Sequence, residues 1–152
     1  MKLLETVIAA TIVSVVSIAL FGAYNLYLRA ALGGAQQTKV SFLVEEGVEA
    51  VKFLRNASWN MNIANISTST DYYLVLQNNL WQLTGGNVLI DGIYERRLTI
   101  SDVFRDASGN ITTTGGTYDA GTKRLSVSVA WNNHGATTTK AFVAYIANIF
   151  SN

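Results

Sequence analysis

From Thr6 to Leu28 the chain runs for twenty-three residues without a formal charge, TVIAATIVSVVSIALFGAYNLYL. At about 1.5 Å per residue a helix of this length reaches roughly 35 Å, enough to cross the hydrocarbon core of a bilayer. Many of these residues are β-branched, a mild handicap for a helix in water. In lipid the requirement that every backbone group bond internally overrides that preference. Eleven large apolar side chains lie here: Val7, Ile8, Ile12, Val13, Val15, Val16, Ile18, Leu20, Phe21, Leu26 and Leu28. Withdrawing them from water is worth about 15–30 kcal/mol as an upper estimate, more than the roughly 5–15 kcal/mol that stabilises a typical domain. Such a helix belongs in a membrane or against an apolar partner.

Three readings of the segment differ in how they treat Glu5. A cleaved secretory signal has a basic start and an apolar core of about 7–15 residues, whereas this run is longer and Glu5 stands where positive charge is wanted. A simple anchor fits the length but gives the acid no purpose. A carboxylate costs about 2.5–3.5 kcal/mol at the centre of a spanning helix and less near an interface, so an intramembrane acid implies a partner. The α-amino group of a chain whose N-terminus lies at the same depth is one such partner. It has a reference pKa of about 7.7–8.0 and stays largely cationic at neutral pH.

The opening Met1-Lys2-Leu3-Leu4-Glu5-Thr6-Val7-Ile8-Ala9 resembles the start of a mature type IV pilin. That family has a hydrophobic first residue, a glutamate at the fifth position and a long apolar helix. The segment QQTKVSFLVEEGVEAVKFLRNASW, Gln36 to Trp59, is similar to the second half of the long pilin helix. Leu125–Trp131 and Ala141–Ile146 resemble the C-terminal strands of cysteine-free bacterial pilins. Two positions depart from the family pattern: Lys2 replaces the usual Thr or Ser, and Gly22 stands where many members carry proline.

The resemblance implies a structural subunit that lies in the cytoplasmic membrane as a single-pass precursor and polymerises with identical subunits into a surface pilus. It implies a prepilin peptidase, an assembly ATPase and a platform protein as partners. It also implies the processed form, with Met1 methylated, and assembly through Met1 and Glu5. The filament-core residues would be Val7, Ile8, Ile12, Val13, Val16, Leu20 and Phe21. Without proline, Gly22, Gly33 and Gly34 are the expected places for bending or local helix disorder in the polymer. A pseudopilin of a type II secretion system, a minor pilin and a monomeric membrane-anchored binding domain are the alternatives.

Beyond the apolar run, Val40, Val44, Val48, Val51 and Leu54 follow helical spacing and form one stripe. Gly47 sits beside it, permitting close approach, while Glu45, Glu46, Glu49, Lys52 and Arg55 fall mainly off it. From Tyr72 the period changes to two. Tyr72–Gln77 and Leu80–Thr84 flank Asn78-Asn79 as a hairpin. Tyr94–Ile100 alternates, with Tyr94, Leu98 and Ile100 on one side. Leu125, Val127, Val129 and Trp131 alternate with polar residues. A turn at Asn132–Gly135 precedes a returning strand, Thr137–Ile146. Asp91-Gly92, Gly115-Gly116 and Asp119–Gly121 read as punctuation, and Asn60 to Asp71 as a solvated loop. The expected fold is α+β, a long N-terminal helix packed on an antiparallel sheet, pilin-like, with residues 1–28 as the membrane or filament-core helix. Residues 29–58 are then its amphipathic half and 59–152 the β domain.

Little in the sequence suggests catalysis. The lone His134 sits among turn residues, and there is no G-x-S-x-G elbow. With no cysteine there is neither a disulfide nor a thiolate metal site. No cofactor is expected and no enzymatic role. A net charge of +1, with basic runs no longer than Arg96-Arg97 and Lys123-Arg124, gives no dedicated nucleic-acid site. Asp106, Ser108 and Asn110 place oxygens at alternate positions, as calcium loops do. They lack the following glycine and distal glutamate of an EF-hand, so a hairpin turn is the favoured reading.

Overall fold

A computed structural model describes residues 2–133 and 135–149. The order is one helix, α1 (Lys2–Ala57), a π-helical turn (Asn60–Ala64), and seven strands. These are β1 (Asp71–Gln77), β2 (Leu80–Thr84), β3 (Leu89–Ile90), β4 (Tyr94–Arg105), β5 (Ile111–Thr112), β6 (Thr117–Asn133) and β7 (Ala136–Ala147). By internal contacts the chain divides into two compact units, residues 1–39 and 40–152.

In the second unit the Val40–Ala57 part of α1 packs on an antiparallel sheet of order β2-β1-β4-β6-β7. The α+β architecture is therefore the expected one. Val40, Val44, Val48, Val51 and Leu54 are all buried, and Leu43, Gly47 and Ala50 join them. They meet Leu98 and Ile100 of β4 and Leu125, Val127 and Val129 of β6, each 0% exposed. β6 accompanies β4 along one edge, while short β3, β1 and β5 pair with the other edge in turn.

Gly47 is where helix and sheet come nearest. A Cβ built there would lie 2.9 Å from Val127 Cγ1 and 3.2 Å from Arg96 Cδ. A side chain at this position would lift the helix from the sheet or displace a β-branched residue in its stiff rotamer.

The β1–β2 hairpin turns through Asn78 and Asn79, both with positive φ (51° and 60°). Two left-handed residues match the twist of the flanking strands, and asparagine tolerates that region.

Several expectations are corrected. Asp119–Gly121 is not a break but part of β6, because Arg105 Nε bonds the Asp119 carboxylate (2.6 Å) and holds it against β4. The segment after α1 is not simply a solvated loop. Trp59 and Ile63 are buried in the core, and the Asn62 side-chain amide donates to the Leu54 carbonyl at the helix end. β4 continues past Ile100 to Arg105 through an irregularity between Asp102 and Phe104 that leaves Val103 buried. The turn expected at His134 falls on a residue outside those described.

Candidate functional site: the apolar half of the first helix

Helical structure runs through the whole uncharged segment and on through Gly22, Gly33 and Gly34. A Cβ at any of these three glycines would meet nothing within 4 Å. The Thr, Ser and Asn side chains of the segment turn back on their own backbone. Thr11, Ser14 and Ser17 hydroxyls donate to the carbonyls of Val7, Ala10 and Val13 at 2.7–2.8 Å. The Asn25 amide donates to the Phe21 carbonyl at 2.9 Å. Hydroxyls satisfied in this way offer their surroundings little but methyl and methylene groups, which suits a solvent that cannot hydrogen-bond.

The apolar side chains are exposed. Val7, Ile8, Ile12, Val13, Val16, Leu20 and Phe21 show between 51% and 69% of their surface, with neither face covered. The window of highest hydropathy averages 2.3 with nothing buried, so the helix is long and apolar enough to cross a membrane. Glu5 lies in the first turn, exposed. Met1, the expected methylation and assembly residue, lies outside the described residues.

The Asp106–Asn110 segment forms the turn between β4 and β5, which pair through Phe104–Thr112 and Arg105–Ile111. Asp106 Oδ1 accepts the backbone N–H groups of Ser108 (2.9 Å) and Asn110 (2.8 Å), and Oδ2 faces the Asn110 amide nitrogen. The Asn110 backbone bond chiefly holds the Asp106 carboxyl below its usual range. The three candidates thus come together, but around Asp106 they present donors where a cation needs oxygens. Among the described residues no group of three His, Cys, Asp or Glu side chains could hold a metal.

Two buried cations escaped the sequence reading. Arg96 is 3% exposed and faces the helix with Leu98 and Ile100. Its Nη1 donates to the Leu43 carbonyl (3.2 Å) and pairs with Glu46 (3.3 Å), while its guanidinium lies 5.5 Å from the Trp81 ring centre. Lys123 is 2% exposed and lies opposite Asp102 in the β4–β6 ladder. Its Nζ donates to Asp102 Oδ1 (2.6 Å) and to the Tyr118 hydroxyl (3.2 Å). Burial pushes the Lys123 ammonium down, but these two bonds outweigh it and the pKa is raised overall. A signal for both residues existed, since each shares the parity of the inward-facing apolar positions on its strand.

On the other face of the sheet, Arg97 bonds Glu95 (2.9 Å) and pairs with Asp71 (3.2 Å), and the Tyr73 hydroxyl donates to Glu95 (3.0 Å). The Arg97 bond chiefly lowers the Glu95 pKa. Asp119 is likewise lowered, chiefly by Arg105. These networks tie strands together.

Comparison with protein-family profiles, with curated proteins and with solved structures yields no match.

Proposed function

We propose that this chain is a non-enzymatic structural subunit of a filament of the type IV pilus kind, held in a membrane by its apolar helix and polymerised through the same helix. The observation that carries the reading is the contrast along α1. An uncharged half with uncovered side chains, whose Thr, Ser and Asn groups bond their own backbone, precedes a half that builds the core of a folded unit. The uncovered half cannot stand free in water, and a bundle of identical helices supplies an apolar environment into which it can pass from lipid. Moving it against lipid packing calls for an energy-driven assembly machine.

Glu5 gives the reading its sharpest consequence. On the pilin reading the cation that meets this carboxylate is the processed α-amino group, of its own chain or of a neighbour. Burying such a pair adds little net stability, but leaving one charge unpaired costs about 3–5 kcal/mol. An incoming subunit is therefore drawn to the register that satisfies both groups.

The test is Glu5→Ala in cells that make the protein, measuring filament in the sheared surface fraction and chain in the membrane fraction. Filament should fall severely while membrane content is unchanged. Normal filament yield from Glu5→Ala would remove the assembly role. A wild-type chain that stays in the membrane and never enters the sheared fraction would favour a monomeric anchored domain instead.

A further inference from the structure

The helix covers the sheet unevenly. Val127 of β6 lies directly opposite Phe142 of β7, so both side chains point to the helix-bearing face. Val127 is 0% exposed, yet Phe142 is 51% exposed. The cover stops one strand short of the edge and leaves a trough of about 480 Å³ between α1 and β7, walled by Val44, Val48, Glu49, Lys140, Phe142 and Ala144.

β7 ends the strand order. It has twelve residues, its ladder with β6 runs without a register shift, and among 136–147 Lys140 is the only charge. Edge strands usually carry charges, prolines or bulges that block pairing. Apart from Lys140, β7 has none of these.

We infer that the β7 edge is a docking site for the β7 edge of a second copy, paired antiparallel about a twofold axis at Phe142. Length selects this occupant, because the other terminal strand, β2, has only five residues and would leave most of β7 unpaired. The axis position follows from chemistry. Any such axis keeps both helices on one side of the joined sheet. At Lys140 it would oppose two like charges. At Phe142 it pairs residues 137–147 with themselves, stacks the two phenylalanines, and sets each Lys140 opposite the partner's Ala144, on the trough wall shared with Glu49.

Eleven paired residues at about 3.4 Å give a ladder of roughly 37 Å, and a sheet edge about 10 Å deep then contributes on the order of 400 Å² per copy. Phe142 packing into the trough adds to this and brings the total to about the 1,000 Å² of a specific interface. The contact is isologous and closes on itself, and it uses no residue of the apolar half of α1.

The absence of cysteine makes the test direct. Single-cysteine variants of the full chain in detergent micelles are oxidised mildly and disulfide dimer is measured. F142C should crosslink at least ten-fold faster than A144C or L80C. Two Ala144 positions would be separated by about four residues, roughly 13 Å, beyond the ~7 Å reach of a disulfide. Because F142C removes the central ring, A141C mixed with V143C provides a second readout that keeps it. The mixture should give a heterodimer faster than either variant gives a homodimer. Equal rates at all positions, fastest reaction at L80C, or no crosslinking above background in both readouts would overturn the proposal.

Discussion

Residues 2–39 and 40–149 obey opposite rules. In the first, large apolar side chains such as Leu3 (80%), Ile18 (72%) and Leu20 (66%) lie open on every side of the helix. In the second, Val40, Leu43, Val44, Val48, Val51 and Leu54 of α1 share one face and are buried in the core, while Phe42 and Phe53 stay exposed on the helix. Polar groups differ in the same sense. The Thr and Ser hydroxyls of the first region bond their own helix, whereas Arg96, Lys123 and Arg105 bond partners contributed by other elements. The first region is locally complete and needs only a solvent, while the second is complete only as a tertiary structure.

The largest expected effect comes from separating the two. A chain lacking residues 2–39 should be soluble without detergent, with a cooperative melt indifferent to reductant, whereas the intact chain should need detergent. A truncated chain that is molten by near-ultraviolet dichroism would show that the second region depends on the first.

A smaller effect distinguishes glycines that look alike in sequence. Gly47→Ala should lower stability by about 1–3 kcal/mol, because the added methyl meets Val127 Cγ1 at 2.9 Å. Gly33→Ala meets nothing and replaces a poor helix former, so the melt of the folded region should not fall. Thermal denaturation of the two variants in detergent is the measurement, and equal losses would break the comparison.

The smallest effects are electrostatic and confined to the folded region. The Lys123 pKa is raised in the fold, so its contribution is fully present below its ordinary value of 10.5 and is lost as pH rises through the raised one. Glu95 and Asp119 are lowered, so theirs is present above about pH 4 and lost as pH falls through the depressed values. Glu95 pairs with a half-exposed Arg97, and its share should stay below about 1 kcal/mol. Denaturant midpoints should therefore decline at both extremes, and Lys123→Met should flatten the alkaline limb alone. An unchanged alkaline limb in that variant would show that the buried pair does not act as described.

What depends on neighbours a few residues away is legible in the chain itself. The uncharged run from Thr6 to Leu28 fixes a helix that water cannot solvate, and the Val40–Leu54 spacing fixes which face of α1 is buried. The alternation in Leu125–Trp131 fixes the inward face of β6, and Asn78-Asn79 fixes the first hairpin. The rest depends on partners brought together by folding. Arg96 and Lys123 look like surface cations until Glu46, fifty residues from Arg96, and Asp102, across the ladder, neutralise them out of water. Asp119-Ala-Gly looks like a turn until Arg105 fastens it into β6. The exposure of Phe142 has no local cause at all, since its alternation matches that of buried residues. It is uncovered because α1 lies over β4 and β6 and stops short of β7, and the width of a helix set on a twisted sheet is not a property of any short stretch of chain.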